Sequence, residues 1–184
     1  MGSLTVAMPQ DRKAYLDYVL SGPGIGIITS SMVGNIYYAA FMNFELDLVL
    51  AAVVKTESGG GYFTYKLMDE SAIPCYFDCP KKILDLLTPI DVIERNNAHF
   101  KMSPKSIQNC SAWRDECAKS HDLKAKRRKL KIGVKIKLPA PVLFTGGDKH
   151  DTFIKVKGNV FHPVGAGYNV RLQGHHLDGF EIIT

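Results

Sequence analysis

The sequence predicts an α+β protein: an N-terminal antiparallel β-meander covered by helices, followed by a small C-terminal SH3-like or OB-like β-barrel. Three observations lead there. Four β-branched or aromatic runs follow one another with short separators between residues 25 and 67. Helical periodicity occupies the flanks of that region. After Lys131 the apolar period changes to two and stays so to the end. A chain of 184 residues with 46% hydrophobic and 22% charged residues can bury a core of ordinary size. Two regions are expected, 1–122 and 123–184.

Arg12 to Leu20 forms a short amphipathic helix with Asp11 as N-cap, ended by Ser21-Gly22-Pro23-Gly24. Strands are expected at Ile25–Met32, Ile36–Met42, Leu46–Lys55 and Tyr62–Leu67. The separators Val33-Gly34-Asn35, Asn43-Phe44-Glu45 and Ser58-Gly59-Gly60-Gly61 are short enough to make successive strands antiparallel neighbours. Asp78 is expected to cap a helix from Pro80 to about Leu87, which Thr88-Pro89 stops. Residues 90–105 read as irregular. A second long helix, Ser106 to about Lys126, carries Ile107, Cys110, Trp113, Cys117 and His121 at steps of three and four, and its basic last turn suits the negative end of the helix dipole. The barrel strands are expected at Gly133–Leu138, Pro141–Thr145, Thr152–Lys157, Asn159–Pro163, Tyr168–Leu172 and Gly179–Ile183, with a turn at Gly146-Gly147-Asp148.

Charge is distributed unevenly. Residues 1–122 hold 11 Lys+Arg against 14 Asp+Glu, a net of −3, whereas residues 123–184 hold 12 against 4, a net of +8. The densest part is Lys124, Lys126, Arg127, Arg128, Lys129, Lys131, Lys135 and Lys137, eight cations with no intervening acid. Phosphate binding rewards such local density, because each neutralised phosphate releases condensed counterions. Lys135 and Lys137 alternate with Val134 and Ile136, so both should leave the solvent face of one strand beside the helix-end cluster, giving one continuous patch. The plainer use of these lysines is a solvated linker with a protected strand edge. The expected partner is double-stranded DNA or another nucleic acid, bound without base preference, since nothing resembles a recognition helix.

Other constellations are weaker. His150, His162, His175 and His176 gather in the C-terminal part near Asp151 and Asp178, but without a metal-ligand spacing. Asp69, Glu70 and Asp78 could hold a divalent cation, yet beside Pro74 and Pro80 they serve equally as turn and cap residues. Cys75, Cys79, Cys110 and Cys117 are spaced C-x3-C and C-x6-C, looser than a zinc ribbon, and read as small buried hydrophobes. Ser71 lacks a nucleophile elbow, and Gly22, Gly24 and Gly26 do not complete a dinucleotide fingerprint because Thr29 takes its last place. Trp113 with its neighbouring cysteines reads as helix core. No catalytic residue, metal or other cofactor is therefore expected. No apolar run approaches the ~18 residues of a membrane span. No signal peptide is read at the N-terminus, and Val6 stands where a myristoylation motif needs Ser or Thr. The expected compartment is the cytoplasm, with no membrane partner.

The stretch Tyr65-Lys66-Leu67-Met68-Asp69-Glu70-Ser71, then Pro74, then Tyr76-Phe77-Asp78-Cys79-Pro80-Lys81-Lys82-Ile83-Leu84-Asp85-Leu86-Leu87-Thr88-Pro89, resembles an uncharacterised domain family of bacteria, plasmids and phages. Trp113-Arg114-Asp115-Glu116-Cys117, and Phe144-Thr145 leading into His150-Asp151-Thr152-Phe153, fit the same family. The resemblance covers about residues 47–184. It carries no established reaction and hence no functional residue, and it lacks Cys75 and Cys110, which counts against a four-cysteine zinc site. What it implies is carriage on mobile elements in a bacterial host. In that setting the expected role is an anti-CRISPR protein: a non-enzymatic inhibitor that binds DNA and a type II CRISPR effector nuclease. A metal-dependent nuclease and a structural adaptor, docking a basic partner through the acidic front part, are the alternatives.

Overall fold

The computed structural model describes residues 3–44, 47–72 and 74–183, without the side chain of His175. The chain divides into two compact units, Met1–His121 and Asp122–Thr184.

The first unit is built on a five-stranded antiparallel sheet. Its strands are β1 (Leu4–Ala7), β2 (Ile25–Val33), β3 (Ile36–Asn43), β4 (Leu48–Gly59) and β5 (Tyr62–Asp69), in the order β1-β5-β4-β3-β2. The expected meander forms from β2 to β5. The start expected at Leu46 lies outside the described residues. β1 is an addition: Leu4-Thr5-Val6-Ala7 is too short to announce a strand, and only pairing with Tyr62–Tyr65 makes it one. Gly59 pairs with Tyr62, which leaves Gly60 and Gly61 as a two-residue hairpin loop. Both have positive φ, +58° and +80°, the conformation such a loop requires of its central residues.

Both faces of this sheet are covered, and the alternation of β3 shows why. Tyr37 and Ala39 pack with Leu16 of α1 (Arg12–Leu20), together with Ala52, Val54, Phe63 and Tyr65. Ile36, Tyr38 and Ala40 face the other way, onto Cys79, Ile83, Leu87, Trp113 and Cys117. These come from α2 (Lys81–Leu84), its flanks and the long α5 (Pro104–Lys129). Fully burying Tyr37, Tyr38 and Trp113 contributes several kcal/mol at about 25 cal/mol per Å² of apolar surface.

Several local expectations change. Asp11 caps α1 as expected, accepting from Ala14 N–H at 3.1 Å. Asp78 does not cap α2; Pro80 is the N-cap residue and makes no side-chain cap bond, while Asp78 accepts from Ser120 Oγ at 2.9 Å. Residues 90–105 are not irregular but hold α3 (Ile90–Arg95), α4 (Asn97–Phe100) and the start of α5. Helices this short carry too few turns to show a period. They bring Ile90, Ile93 and Phe100 against Leu48 and Ile107.

Two polar anchors hold the layers. On one face Asp17 of α1 accepts from Lys13 Nζ (2.7 Å), Ser30 Oγ (2.6 Å) and Tyr37 Oη (2.6 Å). On the other, the fully buried Glu70 meets Arg114 of α5 in a bidentate pair, Nε to Oε2 at 2.6 Å and Nη2 to Oε1 at 2.7 Å. Arg114 also donates to the carbonyl of Thr88 (2.6 Å), and Glu70 accepts from Ala51 N–H (3.1 Å).

The second unit carries an open sheet of β6 (Lys135–Leu143), β7 (Lys149–Lys157), β8 (Val160–Pro163), β9 (Val170–Arg171) and β10 (Glu181–Ile183), ordered β10-β6-β7-β8-β9. The expected barrel does not close: β9 and β10 are edges, and β9 is two residues long. Leu130 from the helix end, with Leu172 and Leu177, fills one side of the sheet against Ile136, Leu138, Phe153 and Phe161. Two strands expected around Pro139 are one. Prolines 139 and 141 lack the N–H a ladder needs, so pairing with β7 is interrupted between Lys137 and Val142.

Two measurements test the anchors. Burial raises the Asp17 carboxyl pKa, but the bonds from Lys13, Ser30 and Tyr37 outweigh it and hold the group below its ordinary value. The stabilisation is thus complete above the unfolded pKa of about 3.9 and is lost as pH falls through the lower folded value. Asp17→Asn should cost about 1–2 kcal/mol near neutrality and flatten the acid limb of a stability–pH curve. Glu70→Gln, which leaves the Arg114 guanidinium without its counter-charge, should cost about 3–5 kcal/mol in denaturant unfolding, and Glu70→Met with Arg114→Met together should cost less than either alone.

Candidate nucleic-acid interface

The basic run begins on the last turns of α5, where Lys124, Lys126, Arg127, Arg128 and Lys129 follow the buried stripe Ile107, Cys110, Trp113 and Cys117. Successive helical residues are about 100° apart, so Lys126 to Lys129 distribute around the helix, and of these four only Lys126 and Lys129, three apart, share a face. Lys131 lies in the connection to β6, and Lys135 and Lys137 are on β6. Lys126, Arg128, Lys129, Lys131 and Lys137 are exposed; Lys124, Arg127 and Lys135 are half-buried.

Arg127 is occupied within the protein. Its guanidinium pairs with Asp178, and its carbonyl accepts from Lys155 Nζ (3.4 Å) and from Leu130 N–H (3.2 Å). Among the described residues, Lys126, Arg128, Lys129, Lys131, Lys135 and Lys137 have no carboxylate within ion-pairing distance.

The expected single patch is divided by the sheet. Lys155 pairs in register with Phe161, which is core, and Lys155 Nζ reaches the carbonyl of Arg127. The helix end therefore lies on the packed side of the sheet. Lys135 and Lys137 flank the buried Ile136 and leave by the opposite, solvent side. Register adds two further cations to that side, Lys157 and Arg171. Lys157 pairs with Val160, Val160 alternates with core Phe161, and Val160 pairs in turn with Arg171. Pattern alone assigns neither: Arg171 sits on a two-residue strand, and along the nine residues of β7 alternation from core Phe153 would send Lys157 to the packed side, which the register shift between Lys155 and Lys157 reverses.

The remaining candidates are dispersed. His150 packs against Phe144, Phe153 and Tyr168, with ring centroids 6.1–6.5 Å apart, and Tyr168 Oη donates to Asp148 (3.1 Å). His162 Nδ1 lies 3.2 Å from Asn169 Oδ1, and His176 Nδ1 accepts from Gln173 N–H. The side chain of His175 lies outside the described residues. Asp69 takes up Ser71 through both its backbone N–H and its hydroxyl, Glu70 is held by Arg114, and Asp78 by Ser120. Among the described residues no three His, Cys, Asp or Glu side chains gather as a metal site would require. Cys79, Cys110 and Cys117 are buried and Cys75 is exposed. Burial pushes the Cys110 and Cys117 thiols up to about 12 and raises Cys79 as well, which suppresses the reactive thiolate. Among the described residues no helix is long and apolar enough to cross a membrane.

Residues 104–175 match a family described as a domain of unknown function (DUF6927). The matched segment takes in α5 and the sheet from β6 to β9, and so contains the whole basic run. No curated protein and no solved structure matches the chain.

The Arg127–Asp178 pair makes Arg127 separable from its neighbours. Arg127→Ala and Asp178→Ala should each lower the stability of the second unit by up to about 1 kcal/mol, with a double mutant near the larger single effect, as read by thermal unfolding.

Proposed function

We propose that this protein is a non-enzymatic binder of double-stranded nucleic acid, acting as an anti-CRISPR inhibitor that also contacts a type II CRISPR effector nuclease. The observation that carries the nucleic-acid part is the set of six cations between Lys126 and Lys137 with no carboxylate partner among the described residues. Surface cations paired internally have little to offer a phosphate; unpaired ones bring their full charge. The net +8 of residues 123–184 adds long-range attraction. The inhibitory role rests on the mobile-element resemblance in Tyr65–Pro89 and its two later signatures. A bacterial cytoplasm is the compartment this role requires.

The test is DNA binding as a function of salt. The wild type should bind duplex DNA with an affinity that falls steeply as salt rises. Replacing the six unpaired cations Lys126, Arg128, Lys129, Lys131, Lys135 and Lys137 together by Ala should reduce the slope of log K against log salt by roughly one unit for each phosphate that is no longer neutralised. Salt-insensitive binding would contradict the reading. Supercoiled plasmid incubated with magnesium or manganese should stay intact; nicking would favour the metal-dependent nuclease. A pull-down of type II effector complexes, with and without DNA, tests the protein partner.

A further inference from the structure

Resting on the nucleic-acid reading above, we infer that the duplex is gripped by the solvent face of the second sheet, through Lys135, Lys137, Lys157 and Arg171. Cross-strand register places these residues in three rows. Glu181, Lys137 and Thr152 form the first; Ile183, Lys135, Ile154 and His162 the second; Lys157, Val160 and Arg171 the third. Partners in an antiparallel ladder point to the same side, and each row is set apart from the core by an intervening buried residue, Ile136, Phe153 or Phe161. Neighbouring strands are about 4.8 Å apart, so Lys157 and Arg171 leave the backbone roughly 10 Å from each other, and Lys135 and Lys137 about 7 Å.

The charge of this face is one-sided. Four permanent cations share the three rows with a single carboxylate, Glu181, which makes no ion pair with Lys137 among the described residues. Such a surface complements a phosphate backbone. A rigid sheet also holds its cations at fixed spacing, whereas the helix-end cations leave in all directions around α5. The rows contain no Phe, Tyr or Trp among the described residues, and those rings are what a single-strand binder uses to stack bases. Of the remaining side chains, Ile154, Val160 and Ile183 make no hydrogen bonds, and Thr152 and His162 are already engaged by Asp151 and Asn169, so the face offers little to base edges. The occupant is therefore duplex nucleic acid held by its backbone, without base preference.

The experiment compares three variants by fluorescence anisotropy with a labelled mixed-sequence duplex and a single strand of equal length. The sheet-face variant carries Lys135→Gln, Lys137→Gln, Lys157→Gln and Arg171→Gln. The helix-end variant carries Lys126→Ala, Arg128→Ala, Lys129→Ala and Lys131→Ala. A control carries Lys66→Gln, Lys81→Gln, Lys101→Gln and Lys105→Gln, which removes equal charge from exposed sites of the first unit. The sheet-face variant should lose tenfold or more in duplex affinity and about three units of salt slope, and the helix-end variant and the control far less. The wild type should prefer duplex to single strand. If the quadruple variant unfolds, Lys137→Gln with Arg171→Gln, both at exposed positions, should still lose more than a doubly substituted control. Wild-type affinity in the sheet-face variant, with loss confined to the helix-end variant, overturns this assignment and leaves the nucleic-acid reading standing. Equal or tighter binding of the single strand also overturns it. Absence of any salt-dependent binding by the wild type overturns the underlying reading instead.

Discussion

The first unit depends on the buried ion pair of Glu70 and Arg114. Removing both charges from water costs several kcal/mol per ion, and only near-complete hydrogen bonding recovers it. The recovery is visible: two bonds between the partners, a third from Ala51 N–H to Glu70, and a fourth from Arg114 to the Thr88 carbonyl. Burial pushes the Glu70 carboxyl above its ordinary pKa, and the guanidinium acts against that rise. Four segments converge there: β4, the end of β5, the approach to α3, and α5. A bidentate pair fixes the rotation of α5 about its axis, because the fork of Arg114 has one geometry that satisfies both oxygens.

Fixing α5 has consequences along its length. Trp113 donates to the carbonyl of Tyr76 (3.0 Å), Asn109 to that of Ser71 (2.6 Å), and His121 lies 2.7 Å from the Cys79 carbonyl. These bonds clasp the proline-marked segment between β5 and α2. The residues that do so lie within the matched domain of residues 104–175, while their acceptors lie before it. The matched segment thus spans both units: its first part completes the core of Met1–His121, and its second part builds the sheet of Asp122–Thr184.

Legibility varied with the length scale of the signal. Asp11 and α1, the meander from β2 to β5, the buried stripe of α5 and the turn at Gly146-Gly147-Asp148 were readable because each obeys a local rule of capping, period or turn chemistry. β1, α3 and α4 were not, being too short to display a period. The barrel expectation failed for a related reason. Short alternating strands state that a sheet exists, but whether its edges meet depends on what fills its core, and here Leu130, Leu172 and Leu177 fill it from one side.

The candidate interface divides in the same way. Composition and spacing by themselves determined that the back part of the chain is strongly cationic and that Lys135 and Lys137 share one face of a strand. Only the tertiary structure decided that Arg127 is spent on Asp178, that the helix end and Lys135 lie on opposite sides of the sheet, and that Lys157 and Arg171 join the latter. The physical reason is that charge and period are local properties of the chain. Pairing between Val160 and Arg171, or between Lys155 and Phe161, is settled by register across strands, where a shift of one residue would send every one of these cations to the other face.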